Sequence, residues 1–170
     1  MKYLQQFEKY LSEDIKIDIT NAASNNDGEE LNKLIKKHKL TATDLDFNYN
    51  AGFTPLLYAA LFGCYKTIQV LVDAGVKLDK QTDANDTALM FAADRCSTDI
   101  QNKKQIINDD YLKSLKILLK SNADWNIENK DGKHFIDLIK SDKIKKYIIK
   151  TYPEKYENYL IKKSSEKYNL

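Results

Sequence analysis

The side chains best equipped for chemistry are few: His38 and His134, Cys64 and Cys96, and the adjacent carboxylates Asp109 and Asp110. Each suggests a definable reaction. A thiol near a lysine, as Cys64 stands near Lys66, can be drawn toward the nucleophilic thiolate. Neighbouring carboxylates can divide acid and base work, and histidine can carry a proton or hold a metal. Catalysis needs such groups to converge with an oxyanion or phosphate stabiliser. The chain contains no Gly-rich phosphate loop, no paired-histidine metal helix and no nucleophile elbow. The cysteine spacing makes neither a disulfide framework nor a metal motif. The expectation is a non-enzyme without metal or cofactor.

The elements that hold these residues explain them better. Over 52–63, Thr54 is suited to cap a free N–H and Pro55 to fill the first helical position. Leu56, Ala59 and Ala60 give a small apolar face, and Gly63 can end the helix in a left-handed turn. Ile68, Val70, Leu71 and Val72 form a second apolar run that stops at Ala74-Gly75. Thirty-three residues beyond Thr54-Pro55-Leu56 and Ala59-Ala60 stand Thr87-Ala88-Leu89 and Ala92-Ala93. Upstream, Ile19, Ala22 and Ala23 match the same pattern, with Asn26 in the place of Gly63. Leu31, Leu34 and Ile35 follow as the second helix, and about four extra residues precede Leu45-Asp46, which matches Leu78-Asp79. Downstream, His134 to Ile139 occupies the place of Thr54 to Ala59, and Ser141 or Asp142 caps a helix carrying Ile144, Tyr147, Ile148 and Ile149.

In this frame His38 is a helix-end cation, His134 is structural, Cys64 is a small packed residue, and Asp109-Asp110 belongs to a helix cap. Trp125 is expected in the core. The third unit carries a largely polar insertion of about fourteen residues within Cys96 to Asp110, with Ile106 and Ile107 near its end. It is expected as a projecting loop or an extension of one helix. Residues 2–12, with Tyr3, Leu4, Phe7, Tyr10 and Leu11 at helical spacing, are expected to cover one end of the stack. Pro153 begins a last helix, with Tyr156, Tyr159, Leu160 and Ile161, that is expected to cover the other.

Composition bounds the partners. In 170 residues, 27 Lys and Arg oppose 25 Asp and Glu, so no global charge argues for nucleic acid or membrane. No run approaches membrane-spanning length, and the start, Met1 to Gln6, lacks a signal-peptide core. The thiols are expected to be reduced, in a cytoplasmic protein, monomeric when free.

The motif Gly52-Phe53-Thr54-Pro55-Leu56-Leu57-Tyr58-Ala59-Ala60 resembles the signature of ankyrin repeats, with Leu57 in place of the usual histidine. The likeness covers residues 18–150. It implies an all-α ankyrin-repeat solenoid: a single domain with a degenerate repeat over 18–48, repeats over 49–81 and 82–128, a partial repeat over 129–152, and helical caps at 2–12 and 153–170. It also implies non-catalytic binding of another protein through loop tips and the exposed face of each first helix. Those positions are Tyr49, Asn50, Phe53, Leu57, Leu61 and Phe62 in the second unit, and Asp83, Asp86, Met90, Asp94 and Arg95 in the third. Lys130 and Lys133 are the counterparts in the fourth. Phe53, Leu61 and Phe62 are large apolar residues where such scaffolds carry polar ones, which marks interaction surface. Cover by the insertion or by a terminal helix is the alternative. A second function class, nucleic-acid binding, rests on the tail, where ten lysines stand against six acids over 131–170. A solvated cap helix explains that composition more simply.

Overall fold

The structure, a computed structural model, describes residues 11–100 and 104–168, with side chains over 11–96 and 108–165. A first helix pair, α1 (Glu13–Ser24) and α2 (Gly28–His38), is followed by the one-turn α3 (Ala42–Leu45). Next come α4 (Pro55–Leu61) with α5 (Tyr65–Asp73), and α6 (Ala88–Arg95) with α7 (Asp109–Lys120). The strands β1 (Ser97–Ile100) and β2 (Lys104–Ile107) interrupt that third pair. The short α8 (Phe135–Leu138), α9 (Asp142–Thr151) and α10 (Pro153–Tyr168) complete the chain. The stretch expected as an N-terminal cap helix lies, apart from Leu11 and Ser12, outside the described residues.

Two buried hydroxyls set the frame. Thr54 and Thr87, each 1% exposed, accept the N–H groups of Leu57 and Met90 at 3.3 Å and start α4 and α6 in one conformation. The alanine pairs Ala22-Ala23, Ala59-Ala60 and Ala92-Ala93 are buried, so α1, α4, α6 and α8 pack side by side as one row. α2, α5 and α7 form a second row behind them, and the members of each pair also touch. The result is an all-α solenoid with a continuous core from Ile19 to Tyr159.

The turns within the pairs are sewn to their neighbours. Asn26 takes the left-handed backbone (φ 58°) that Gly63 takes one unit on (φ 70°), the exchange the sequence pattern predicts. The Asn26 carboxamide oxygen accepts the Lys66 N–H at 2.8 Å, and Thr67 donates to the Ala23 carbonyl at 2.9 Å. A Cβ on Gly63 would sit 3.1 Å from the Tyr111 ring, so glycine is required twice over there. Between the outer loops, Asp46 accepts the Lys77 N–H at 3.1 Å, and its repeat counterpart Asp79 accepts the Asp124 N–H at 2.8 Å.

The insertion departs from expectation. It is neither an irregular loop nor a longer helix, but an antiparallel hairpin pairing Ser97 with Ile107 and Ile100 with Lys104. Thr98 and Ile100 in one strand and Ile106-Ile107 in the other are β-favouring residues, and the Asn108 N–H closes the base on the Cys96 carbonyl at 3.0 Å. Asn108 then caps α7 through Asp110 and Tyr111, with Asp109 and Asp110 in its first turn.

At the far end, α10 is fastened to α8 by one carboxylate. Asp137 Oδ1 accepts Lys163 Nζ at 2.6 Å and the Tyr159 hydroxyl at 3.2 Å, while its Oδ2 accepts the His134 N–H at 3.2 Å. Burial alone would raise this carboxyl, but the hydrogen bonds from Lys163 and His134, with the Lys163 charge, hold it below its usual range. A depressed carboxyl stabilises the fold above the unfolded aspartate pKa of about 4 and loses that contribution as pH falls through the folded value. Asp137→Asn is therefore expected to lower the melting temperature at neutral pH, with a deficit that shrinks as pH falls below the unfolded aspartate pKa of about 4. A deficit that stays constant with falling pH in thermal melts would contradict this assignment.

Candidate partner-binding face

α4 has only seven residues, and neighbours on two sides cover most of it. Leu56, Leu57, Ala59 and Ala60 are all 2% exposed or less, which leaves Tyr58 and Leu61 half-exposed. α6 repeats the arrangement: Leu89, Met90, Ala92 and Ala93 are buried and Phe91 is half-exposed. Two expected site residues are thereby corrected. Leu57 (1% exposed) and Met90 (2%) lie in the core and offer a partner no surface. The outward positions are one residue later, at Tyr58 and Phe91, which the sequence reading missed.

These two residues join Phe53 in an aromatic strip across two units. The Phe53 ring lies 4.9 Å from Tyr58 and stacks 5.5 Å from Phe91, centroid to centroid. All three rings are half-exposed, with Phe53 and Phe91 resting on the core beneath. Phe62, at the opposite end of α4, is 53% exposed. Among the described residues none buries it. Leu61 and Phe53 are partly covered by their own stack.

The loop tips edge this face in register. Each tip closes on itself: Tyr49 N–H on Phe53 O at 2.7 Å, Thr82 on Asp86 at 3.0 Å, and Asn129 on Lys133 at 3.1 Å. Successive tips are tied by Asp83 N–H to Ala51 O at 3.1 Å and Lys130 N–H to Ala84 O at 3.0 Å. The Thr82 hydroxyl and the Asn129 carboxamide oxygen each accept two N–H groups within their own tips. Asn50, Asp83, Lys130 and Lys133 are exposed on this edge; Tyr49 and Asp86 are half-exposed, and Asp86 accepts from Asn129 at 2.9 Å. Asp94 is engaged by Lys140 at 3.2 Å and by neighbouring Arg95 at 3.8 Å. Of the expected residues, Leu57 and Met90 are buried and the rest are exposed or half-exposed, with acids at the third tip and lysines at the fourth.

The reactive groups have other employment. Cys64 is buried, and its Sγ lies 3.1 Å from the Ser24 carbonyl in donor geometry. Burial pushes its thiol up, and the nearby Asp110 charge adds to that, so Lys66 does not activate it. His134 is 1% exposed beneath an edge-on Tyr159 ring at 5.1 Å. Trp125, 4% exposed, packs edge-on against Phe135 at 5.0 Å. Among the described residues, no group of three or more His, Cys, Asp or Glu could hold a metal, and no helix is long and apolar enough to cross a membrane. A cleft of about 230 Å³ opens between the Asn122–Asn126 loop and α10, small beside the ~300–1,000 Å³ of ordinary ligand sites.

The division between core and face is measurable. Leu57→Ala should lose about 2–5 kcal/mol of unfolding free energy by opening a core cavity, whereas Tyr58→Ala should lose about 1 kcal/mol or less. Equal losses in urea titrations would mean that the two side chains do not occupy different environments.

A family model of ankyrin repeats, in three copies, matches residues 19–129, well over half of the chain. No curated protein matches it. Helix pairs stacked in two rows, tips tied edge to edge and this match lead to one conclusion: the chain belongs to the ankyrin-repeat family.

Proposed function

We propose that the protein is a non-catalytic recognition module of the cytoplasm, monomeric when free, that binds another protein through the face built by α4, α6 and the tips. Ankyrin repeats are generally protein–protein interaction modules, which supports the class of function. The observation that carries the assignment to this face is the half-exposed strip of Phe53, Tyr58 and Phe91. A fold that needed only its own core would place small or polar residues there. Rings held by stacking lose little side-chain freedom on binding, and aromatic residues are the commonest interface anchors. Phe62 and Arg95 extend the face toward the hairpin. Asp83, Asp86, Lys130 and Lys133 at the tips set the charge pattern that a partner must complement.

The test compares wild type with Phe91→Ala and Phe62→Asp in quantitative affinity capture from cells, followed by titration calorimetry with the purified protein so identified. Both variants should keep near-native far-ultraviolet dichroism, and each should weaken binding by about 2 kcal/mol or more. Unchanged affinity in two folded variants would move the binding site elsewhere. A hydrolytic or transferase activity of the pure protein would refute the non-catalytic reading.

A further inference from the structure

α7 and α9 carry a second surface with a different character. On α7, Lys113, Lys116 and Lys120 recur at three- and four-residue spacing and so share one side of the helix; Lys143, Lys146 and Lys150 do the same on α9. The two rows meet where Lys116 Nζ lies 5.1 Å from the centroid of the Tyr147 ring. Lys113 is paired with Asp110 at 3.1 Å and lies over Tyr65 at 4.5 Å. The other five have no carboxylate partner among the described residues. The acids of these helices, Asp109, Asp110 and Asp142, stand in the first turns, so the later turns carry lysine without acid.

We propose that this outer face of α7 and α9 binds single-stranded nucleic acid, with lysines against the phosphates and Tyr147 against a base. The proposal is independent of the protein-binding face, which lies on the other row of helices. It also relocates the nucleic-acid reading suggested by the tail composition. Among the described residues of the last helix, Tyr159 is 3% exposed and Tyr156 is partly buried against the core, whereas Tyr147 is 40% exposed.

Three features favour this occupant over other polyanions. Lysines about 5 Å apart along each helix, on two helices joined by the Lys116–Tyr147 contact, form a series of point charges that can follow a flexible phosphate chain. An acidic peptide is best gripped by arginine forks, and the single arginine of the chain, Arg95, is on α6. A membrane surface rewards exposed aliphatic side chains among the lysines. The large hydrophobic residue exposed on these two helices is Tyr147, whose amphipathic ring suits base stacking.

The experiment is fluorescence anisotropy of the full chain with a labelled mixed-sequence oligonucleotide of about 15 nucleotides. Neutralising four or five phosphates predicts a slope of log affinity against log salt of about −3, or a roughly fifty-fold loss between about 50 and 200 mM salt. Lys143→Glu with Lys146→Glu and Lys150→Glu should abolish binding. Tyr147→Ala should weaken binding about tenfold with the salt slope unchanged, and Phe91→Ala should bind as wild type. No binding at low salt, equal binding by the folded triple variant, or a flat salt dependence would each overturn the proposal. So would binding to vesicles containing phosphatidylserine without binding to the oligonucleotide.

Discussion

No helix pair in this chain can bury its apolar face alone, and the architecture follows from that constraint. The alanine pairs on α1, α4 and α6 let neighbouring units approach until their backbones nearly touch. Larger side chains at those places would hold the row apart and leave Leu31, Leu71 and Leu118 without cover. Close approach then makes hydrogen bonds between units possible, and they appear at all three levels of the stack. Thr67 and Lys66 reach back at the inner turns, Asp46 and Asp79 reach forward at the outer loops, and the tips bond edge to edge. Those at the inner turns satisfy backbone groups otherwise stranded at helix ends, and the others satisfy amides of the loops. Stability in such a stack is a sum of unit and interface contributions, so these contacts fix both cohesion and spacing.

The same constraint decides what is left for binding. A first helix pressed by neighbours on two sides has a narrow free stripe, about one residue per turn. In α4 and α6 that stripe is occupied by Tyr58 and Phe91, and Phe53 from the preceding tip leans against both. Rings already braced by one another lose little freedom on meeting a partner. Rigidity of the scaffold and readiness of the face are thus two results of one packing arrangement.

Much of this was legible in the residues. Threonine before the helix, paired alanines within it and glycine or asparagine after it specify caps, close packing and left-handed turns by local chemistry, and these positions came out as read. The errors arose where local chemistry is silent. Leu57 and Tyr58 are adjacent and both apolar, and on so short a helix periodicity alone cannot say which points outward. That depends on the neighbouring units on each side. The hairpin was missed because its β-favouring residues are brief and set among polar ones. Its pairing is local, between Ser97 and Ile107 at the base and Ile100 and Lys104 at the end, but neither strand shows a sustained apolar alternation. The partner of Asp137, twenty-six residues on at Lys163, is equally invisible until α10 is in place.

The hairpin also changes how the solenoid can vary. It leaves the stack after Cys96 and returns at Asn108, and one backbone bond joins those two residues. The helices on either side, α6 and α7, still pack as the other pairs do. The entropy of closing a loop rises only slowly with its length. The segment can lengthen, shorten or exchange its sequence while the units on both sides keep their spacing. The third pair is therefore the place where this lineage can acquire new surface without renegotiating its core.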